Sequence, residues 1–127
     1  MQGDRRGGGG DGVMKAKGEG LGEGALIVIL TTFGNEEDAK KVARTLVEEG
    51  LVACAWVTQK VRSFYVWKGK LEEDEEVVVV LKAPKKTFEK AVKRLRELHP
   101  YEVPEIIAFE ANYVLPEYLK WAEEVCG

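Results

Sequence analysis

The chain has 127 residues, a net charge of −3 at pH 7, and hydrophobic residues at 45% of its positions. This length and composition predict one globular domain with a core of its own. The negative charge disfavours nucleic acids and anionic membranes as partners, because both are bound through basic patches that release counterions. No apolar run approaches the ~18 residues of a membrane span, and no secretory signal is evident, so we expect a cytoplasmic protein. The charged fraction of 32%, dominated by Glu and Lys, is similar to thermophile surfaces.

Residues 1–24 differ in composition from the rest of the chain. Glycines and scattered charges dominate this segment, and apolar side chains are almost absent from it. Such a segment cannot bury enough apolar surface to offset its chain entropy. We therefore expect residues 1–24 to be a disordered glycine-rich extension and residues 25–127 to form the folded domain.

The folded part begins with a strand and a helix. Residues 26–32 are aliphatic or β-branched throughout, which is typical of a strand buried on both faces. Asn35 is a suitable N-cap residue, and the acidic residues 36–38 favour the first turn of a helix. Apolar residues then recur on one helical face until Gly50, which is placed as a C-terminal glycine.

Two extended segments follow and predict a long β-hairpin. Residues 51–67 are rich in β-formers, and Gln59-Lys60 interrupts the pattern as a bulge or bend would. The sequence Lys68-Gly69-Lys70 predicts the hairpin turn. Beyond the turn, the acidic run 72–76 leads into the valine-rich run 77–82.

The rest of the chain predicts two helices and a strand. Pro84 opens a helix with an apolar face, and residues 99–105 follow it as a loop that two prolines make stiff. This loop contains His99, the only histidine in the chain. Residues 106–111 predict a fourth strand, and Pro116 is placed at the first position of a short closing helix.

The element order β-α-β-β-α-β-α predicts an α+β, ferredoxin-like βαββαβ plait with a C-terminal helix. In this fold two helices cover one face of a four-stranded antiparallel sheet. The arms of the central hairpin, roughly residues 52–83, are longer than the flanking strands, so part of the hairpin must project beyond the sheet. An apolar ribbon with unpaired edges invites association, which predicts a closed homo-oligomer.

The sequence also resembles the CutA family of divalent-cation tolerance proteins. The resemblance covers residues 25–127 and rests on segments that occur in the same order along the chain. These segments are the strand ending Thr31-Thr32, Leu51-Val52-Ala53-Cys54, residues 63–71, the acidic run 72–76, His99 to Ile106, and Tyr118-Leu119-Lys120-Trp121. Each segment alone is weak evidence for the family, but the occurrence of all of them in the same order over the whole folded part is specific to it.

The resemblance implies a homotrimer in which the long hairpins bridge neighbouring subunits. It implies a role in tolerance to copper and other divalent metals, without an established catalytic activity. The architecture also resembles the trimeric PII signalling proteins, which bind small effectors at clefts between subunits.

The copper site proposed in bacterial relatives uses a cysteine at the end of the first strand and two histidines. In this chain Thr31 stands at the position of the cysteine and Leu98 at that of the first histidine, so that His99 alone remains. One imidazole is a poor copper site, because affinity needs several nitrogen or sulfur ligands. The resemblance therefore implies at most a weak divalent-cation site at His99.

We expect a ligand-binding cleft between subunits, formed by aromatic and charged side chains of the hairpin and the stiff loop. Its candidate residues are Tyr65, Trp67, Lys70, Glu75, Lys82, Tyr101 and Glu105, with His99 as the candidate metal ligand. The carboxylates suit a hard cation, whereas Lys70 and Lys82 suit an anion. The alternative is that the aromatic residues pack in an interface and that the acidic run is a solvated face.

The alternatives to ligand binding are a hydrolase, an RNA-binding module and a protein scaffold. A phosphate-ester or acyl-phosphate hydrolase needs a glycine-rich loop with an arginine after the first strand, where this chain has Glu36 and Glu37. One histidine does not supply a catalytic triad, so we expect no enzyme. An RNA-binding plait needs stacking aromatics on its central strand, and residues 77–81 contain none. A scaffold or signalling trimer with a protein partner stays open as the alternative.

Overall fold

A computed structural model describes residues 25–127 and confirms the predicted order of elements. The strands are β1 (Leu26–Phe33), β2 (Cys54–Trp67), β3 (Lys70–Pro84) and β4 (Ile106–Glu110). The helices are α1 (Glu36–Glu48), α2 (Lys85–Leu98) and α3 (Pro116–Val125). The predicted disordered extension, residues 1–24, lies outside the described residues. No helix in residues 25–127 is long and apolar enough to cross a membrane.

The four strands form one sheet in the order β2-β3-β1-β4, and every neighbouring pair is antiparallel. This is the ferredoxin-like arrangement that the element order predicts. One face of the sheet packs against α1 and α2 and forms the main core. Its fully buried members include Ile29, Phe33, Leu46, Val77, Leu81 and Leu95.

Helix α1 has the predicted ends. The Asn35 side chain accepts a hydrogen bond from the Asp38 backbone N–H at 2.8 Å, and Gly50 has a φ of 71°, which suits a C-terminal glycine. Strand β2 begins at Cys54, three residues later than the sequence pattern predicts. The reason is the helix end, because the Leu51 and Val52 N–H groups bond to the Leu46 carbonyl rather than to a strand.

The long hairpin is confirmed with its turn and its bulge. Lys68 and Gly69 both have positive φ, at 53° and 79°, as a two-residue type I′ turn requires. The register shifts between Val57 and Lys60, opposite β3, so a bulge lies where the sequence interrupts its β pattern. Strands β2 and β3 have 14 and 15 residues, against 8 and 5 in β1 and β4. Residues 60–76, which we call the distal hairpin, therefore project beyond the sheet.

The sheet face opposite α1 and α2 is only partly covered. Helix α3 packs over one end of it, around Leu26, Ala53 and Ala122. The rest of this face, which we call the open sheet face, carries large apolar side chains that are about half exposed. They include Trp56, Ile107 and Phe109, at 54%, 49% and 51% exposure. Exposed apolar surface of this kind is typical of protein interaction sites.

Candidate functional site

His99 lies at the end of α2, where its ring is buried with 7% exposure. Its Nε2 is 2.7 Å from the Thr32 carbonyl oxygen, and its Nδ1 accepts a hydrogen bond from the Tyr101 N–H at 3.2 Å. Because a carbonyl only accepts, Nε2 carries the proton and the imidazole is neutral. Burial lowers the pKa of His99 below its usual value of 6.5. Both ring nitrogens are therefore engaged, and a metal at His99 would displace one of these hydrogen bonds.

The surroundings of His99 do not resemble a copper site. Thr31 is fully buried on the helix side of the sheet, and its hydroxyl has no hydrogen-bond partner among the described residues. Leu98 is a partly buried member of the core. Within residues 25–127, no three side chains of His, Cys, Asp or Glu converge as metal ligands. The described residues of one subunit do not fit a copper ion, and a weak site at His99 stays a prediction.

Tyr101 is held in place by two neighbours. Its ring lies 4.9 Å from that of His99, at an interplanar angle of 57°. Its hydroxyl lies over Gly34, only 3.1 Å from the position that a Cβ would occupy there. The pKa of Tyr101 is raised by burial first, and then by the negative charges of Glu76, Asp74 and Asp38. Contacts with Gly34 and His99 thus position the Tyr101 ring.

A cleft of about 730 Å³ lies between the distal hairpin and the loop after His99. We call it the hairpin cleft. Its aromatic walls include Tyr65, Trp67 and Tyr101. Its carboxylates are Asp74 and Glu76 from β3 and Glu102 and Glu105 from the loop. All charged side chains that line it in the described part of the chain are acidic, so its electrostatic potential favours a cation.

The cleft brings together four of the predicted ligand-binding residues. Tyr65 and Trp67 come from β2, whereas Tyr101 and Glu105 come from the loop about 35 residues later. The Tyr65 hydroxyl donates a hydrogen bond to Asp74. This bond is the main cause that raises the pKa of Tyr65 to about 12, and nearby carboxylates add to it. Tyr65 is therefore a protonated donor at any physiological pH.

The other predicted cleft residues lie elsewhere. Glu75 is on the opposite side of the hairpin ribbon, where it faces Arg62 at 3.8 Å. Lys70 pairs with Trp67 beside the hairpin turn but does not line the cleft. Lys82 is near the open sheet face, where its Nζ lies 3.7 Å from the centroid of the Trp56 ring.

Sequence reasoning missed Asp74, Glu76 and Glu102 as cleft residues. The alternation of a strand contains the signal for two of them, because residues two apart share a face. In the observed register Tyr65 is opposite Glu72 and Ser63 is opposite Asp74. Asp74 and Glu76 are thus on the Tyr65 side of the ribbon, and Glu75 is on the other side. No pattern in the sequence identifies Glu102, because it lies in an irregular loop.

Comparisons with known proteins give a consistent result. Residues 27–125 match the model of the family described as CutA1 divalent ion tolerance protein. The divalent-cation tolerance protein CutA of Pyrococcus horikoshii is 46% identical over 99 residues, which are 78% of this chain and 96% of that protein. A CutA crystal structure from Xylella fastidiosa is 34% identical with a TM-score of 0.78, covering 81% of this chain and 99% of that one. The structure of the divalent cation tolerance protein of Thermus thermophilus is 39% identical with a TM-score of 0.76, covering 80% of this chain and 99% of that one.

Proposed function

Since the chain belongs to the CutA1 divalent ion tolerance family, we propose that it is a non-enzymatic homotrimer that binds a cationic ligand in the hairpin cleft. This binding would serve the tolerance of, or the response to, divalent metals. The observation that carries the proposal is the cleft itself, in which aromatic rings and carboxylates from two distant parts of the chain meet.

The open sheet face and the distal hairpin support assembly. Trp56, Ile107 and Phe109 expose about half of their surface on one side of the sheet. The hairpin residues 60–76 extend past the sheet, where a neighbouring subunit would cover them. Burying such apolar surface is favourable by about 25 cal/mol per Å². In the trimer, the hairpin cleft would lie at the seam between subunits.

The donor atoms of the cleft favour a hard cation over copper. Carboxylate oxygens suit magnesium and calcium, whereas copper prefers nitrogen and sulfur ligands. His99, the only histidine, is engaged through both nitrogens. The same engagement supports a non-enzymatic role, because a general base needs a free nitrogen in contact with substrate.

Calorimetric titration of the full chain with magnesium, copper and zinc salts tests the proposal. The matched variants are Glu105→Gln in the cleft and Glu124→Gln on the exposed surface of α3. We expect saturable heat with at least one cation, and we expect this binding to be weakened in Glu105→Gln and unchanged in Glu124→Gln. ATP is the control ligand of opposite charge, and we expect no binding to this acidic cleft. If no cationic ligand gives saturable heat, the proposal fails and the scaffold with a protein partner is favoured.

A further inference from the structure

The aromatic rings and the spread of charge indicate which class of cation fits the site. We propose that the hairpin cleft takes an organic cation, a linear polyamine or a guanidinium compound, in preference to a bare metal ion. This inference rests on the proposed function, because it specifies the ligand of the same cleft.

Three aromatic side chains carry the inference. Tyr65, Trp67 and Tyr101 line one cleft, and in a single subunit they keep 39%, 55% and 38% of their surface exposed. An ammonium or guanidinium group is attracted to an aromatic face when it lies within about 6 Å of the ring centroid. A hydrated magnesium ion gains little from such rings, because it takes oxygen ligands and keeps its water. The aromatic walls therefore contribute to the binding of an organic cation but not to that of a metal ion.

The carboxylates make the hairpin cleft negatively charged, but they do not converge on one point as metal ligands would. Asp74 and Glu76 are two residues apart on one strand, which separates their Cα atoms by about 7 Å. Glu102 and Glu105 face them from the loop. Within residues 25–127 no group of three such side chains is placed to hold a metal ion. A row of separated carboxylates suits a ligand whose positive charges are also separated along a chain.

The raised pKa values of the two tyrosines agree with this geometry. The carboxylates Asp74 and Glu76 are among the causes that raise the pKa of both Tyr65 and Tyr101. Their negative potential therefore extends over the rings that line the cleft. A cation placed between the rings would meet both the aromatic faces and this potential.

Calorimetric titrations of the full chain with spermidine and with magnesium chloride test the inference at about 0.15 M ionic strength, where surface charges are largely screened. Each ligand is titrated into wild type, Tyr101→Leu and Glu105→Gln. The matched controls outside the cleft are Tyr113→Leu, whose side chain is 37% exposed against 38% for Tyr101, and Glu124→Gln.

We expect wild type to bind spermidine more tightly than magnesium. Tyr101→Leu should weaken spermidine binding roughly 3- to 10-fold, as expected for the loss of one cation–π contact, and should leave magnesium unaffected. Glu105→Gln should weaken the binding of both ligands, and neither control should change either. Trp67→Leu provides the same test if Tyr101→Leu does not fold, provided that its molar mass in solution equals that of wild type.

The possible outcomes separate the inference from the proposed function. Saturable binding of magnesium without binding of spermidine would retain cation binding in the cleft and overturn the inference. Equal effects of Tyr101→Leu and Tyr113→Leu on spermidine would also overturn it, because the rings of the cleft would then play no part. If neither spermidine nor magnesium binds, and copper and zinc give no saturable heat either, both the inference and the proposed function are overturned.

Discussion

The imidazole of His99 is stacked on the phenyl ring of Phe33, with ring centroids 4.3 Å apart and ring planes 14° from parallel. The same imidazole is bonded to the Thr32 carbonyl and to the Tyr101 N–H. It therefore joins the end of β1 to the loop that carries one wall of the hairpin cleft. In this position a neutral histidine stabilises the geometry of the cleft.

This burial predicts a pH dependence. The pKa of His99 is lowered in the folded state, so the unfolded chain takes up the proton first as the pH decreases below about 6.5. The free energy of unfolding should be highest above that pH and decrease below it, until His99 is protonated in the folded state too. NMR titration of the single histidine gives its pKa directly. A midpoint above 6.5 would contradict this account.

A variant at His99 separates the contribution of this residue to the pH dependence of stability from that of the carboxylates, which titrate at lower pH. We expect His99→Gln to be less stable than wild type near neutral pH, because it loses the ring stack and one hydrogen bond. The difference should shrink between about pH 7 and pH 5, since only wild type contains a histidine that titrates there. Denaturant-induced unfolding at constant protein concentration measures this difference in the free energy of unfolding. A difference that grows as the pH decreases would refute the assignment.

Thr31 provides a test of core packing. Its hydroxyl is fully buried without a partner among the described residues, and an unsatisfied buried polar group is unfavourable. Thr31→Val, of nearly equal volume, should leave the free energy of unfolding unchanged or raise it by about 1 kcal/mol. Thr87→Val is the matched control, because the buried Thr87 hydroxyl donates to the Leu51 carbonyl at 2.9 Å. Thr87→Val should lower the free energy of unfolding. If Thr31→Val lowers it too, the Thr31 hydroxyl has a hydrogen-bond partner that the structure does not contain.

Gly34 provides a test of how Tyr101 is positioned. A Cβ at position 34 would lie 3.1 Å from the Tyr101 hydroxyl, which is the movable end of a side chain. We expect Gly34→Ala to fold with little loss of stability but to displace the tyrosine and weaken spermidine binding in the cleft. Thermal unfolding and the calorimetric titration measure the two effects. Unchanged binding would show that the position of the Tyr101 hydroxyl is unimportant for the ligand.

The open sheet face leads to a prediction about assembly. Ile107→Asp places a charge on that face, where burial against a neighbour would desolvate it. The control is Val47→Asp on α1, because Val47 has a similar exposure of 41%, against 49% for Ile107. We expect Ile107→Asp to lower the molar mass measured by light scattering and Val47→Asp to leave it unchanged. The opposite result would place the interface on the helix side.

The fold could be predicted from the sequence because its signals are local. The helical face that ends at Gly50, the cap at Asn35 and the turn at Lys68-Gly69 each depend on neighbouring residues. The bulge near Gln59 is also visible as a local break in the β pattern. Ferredoxin-like topology then follows from the order of the elements and the handedness of their connections.

The site was predicted only in part, because its geometry depends on tertiary contacts. Tyr65 and Tyr101 can be identified from their sequence motifs, but the contact of Tyr65 with Asp74 follows from the strand register. Glu75 was assigned to the cleft although it faces the other side of the ribbon, where it lies near Arg62. That His99 is engaged through both nitrogens depends on the Thr32 carbonyl, which is 67 residues away in the sequence.

The molar mass of the full chain in solution tests the central claim most directly. Sedimentation equilibrium at micromolar concentration should give three times the 14.1 kDa of one chain. A stable species of 14.1 kDa would contradict the account, since the open sheet face would then need no second copy.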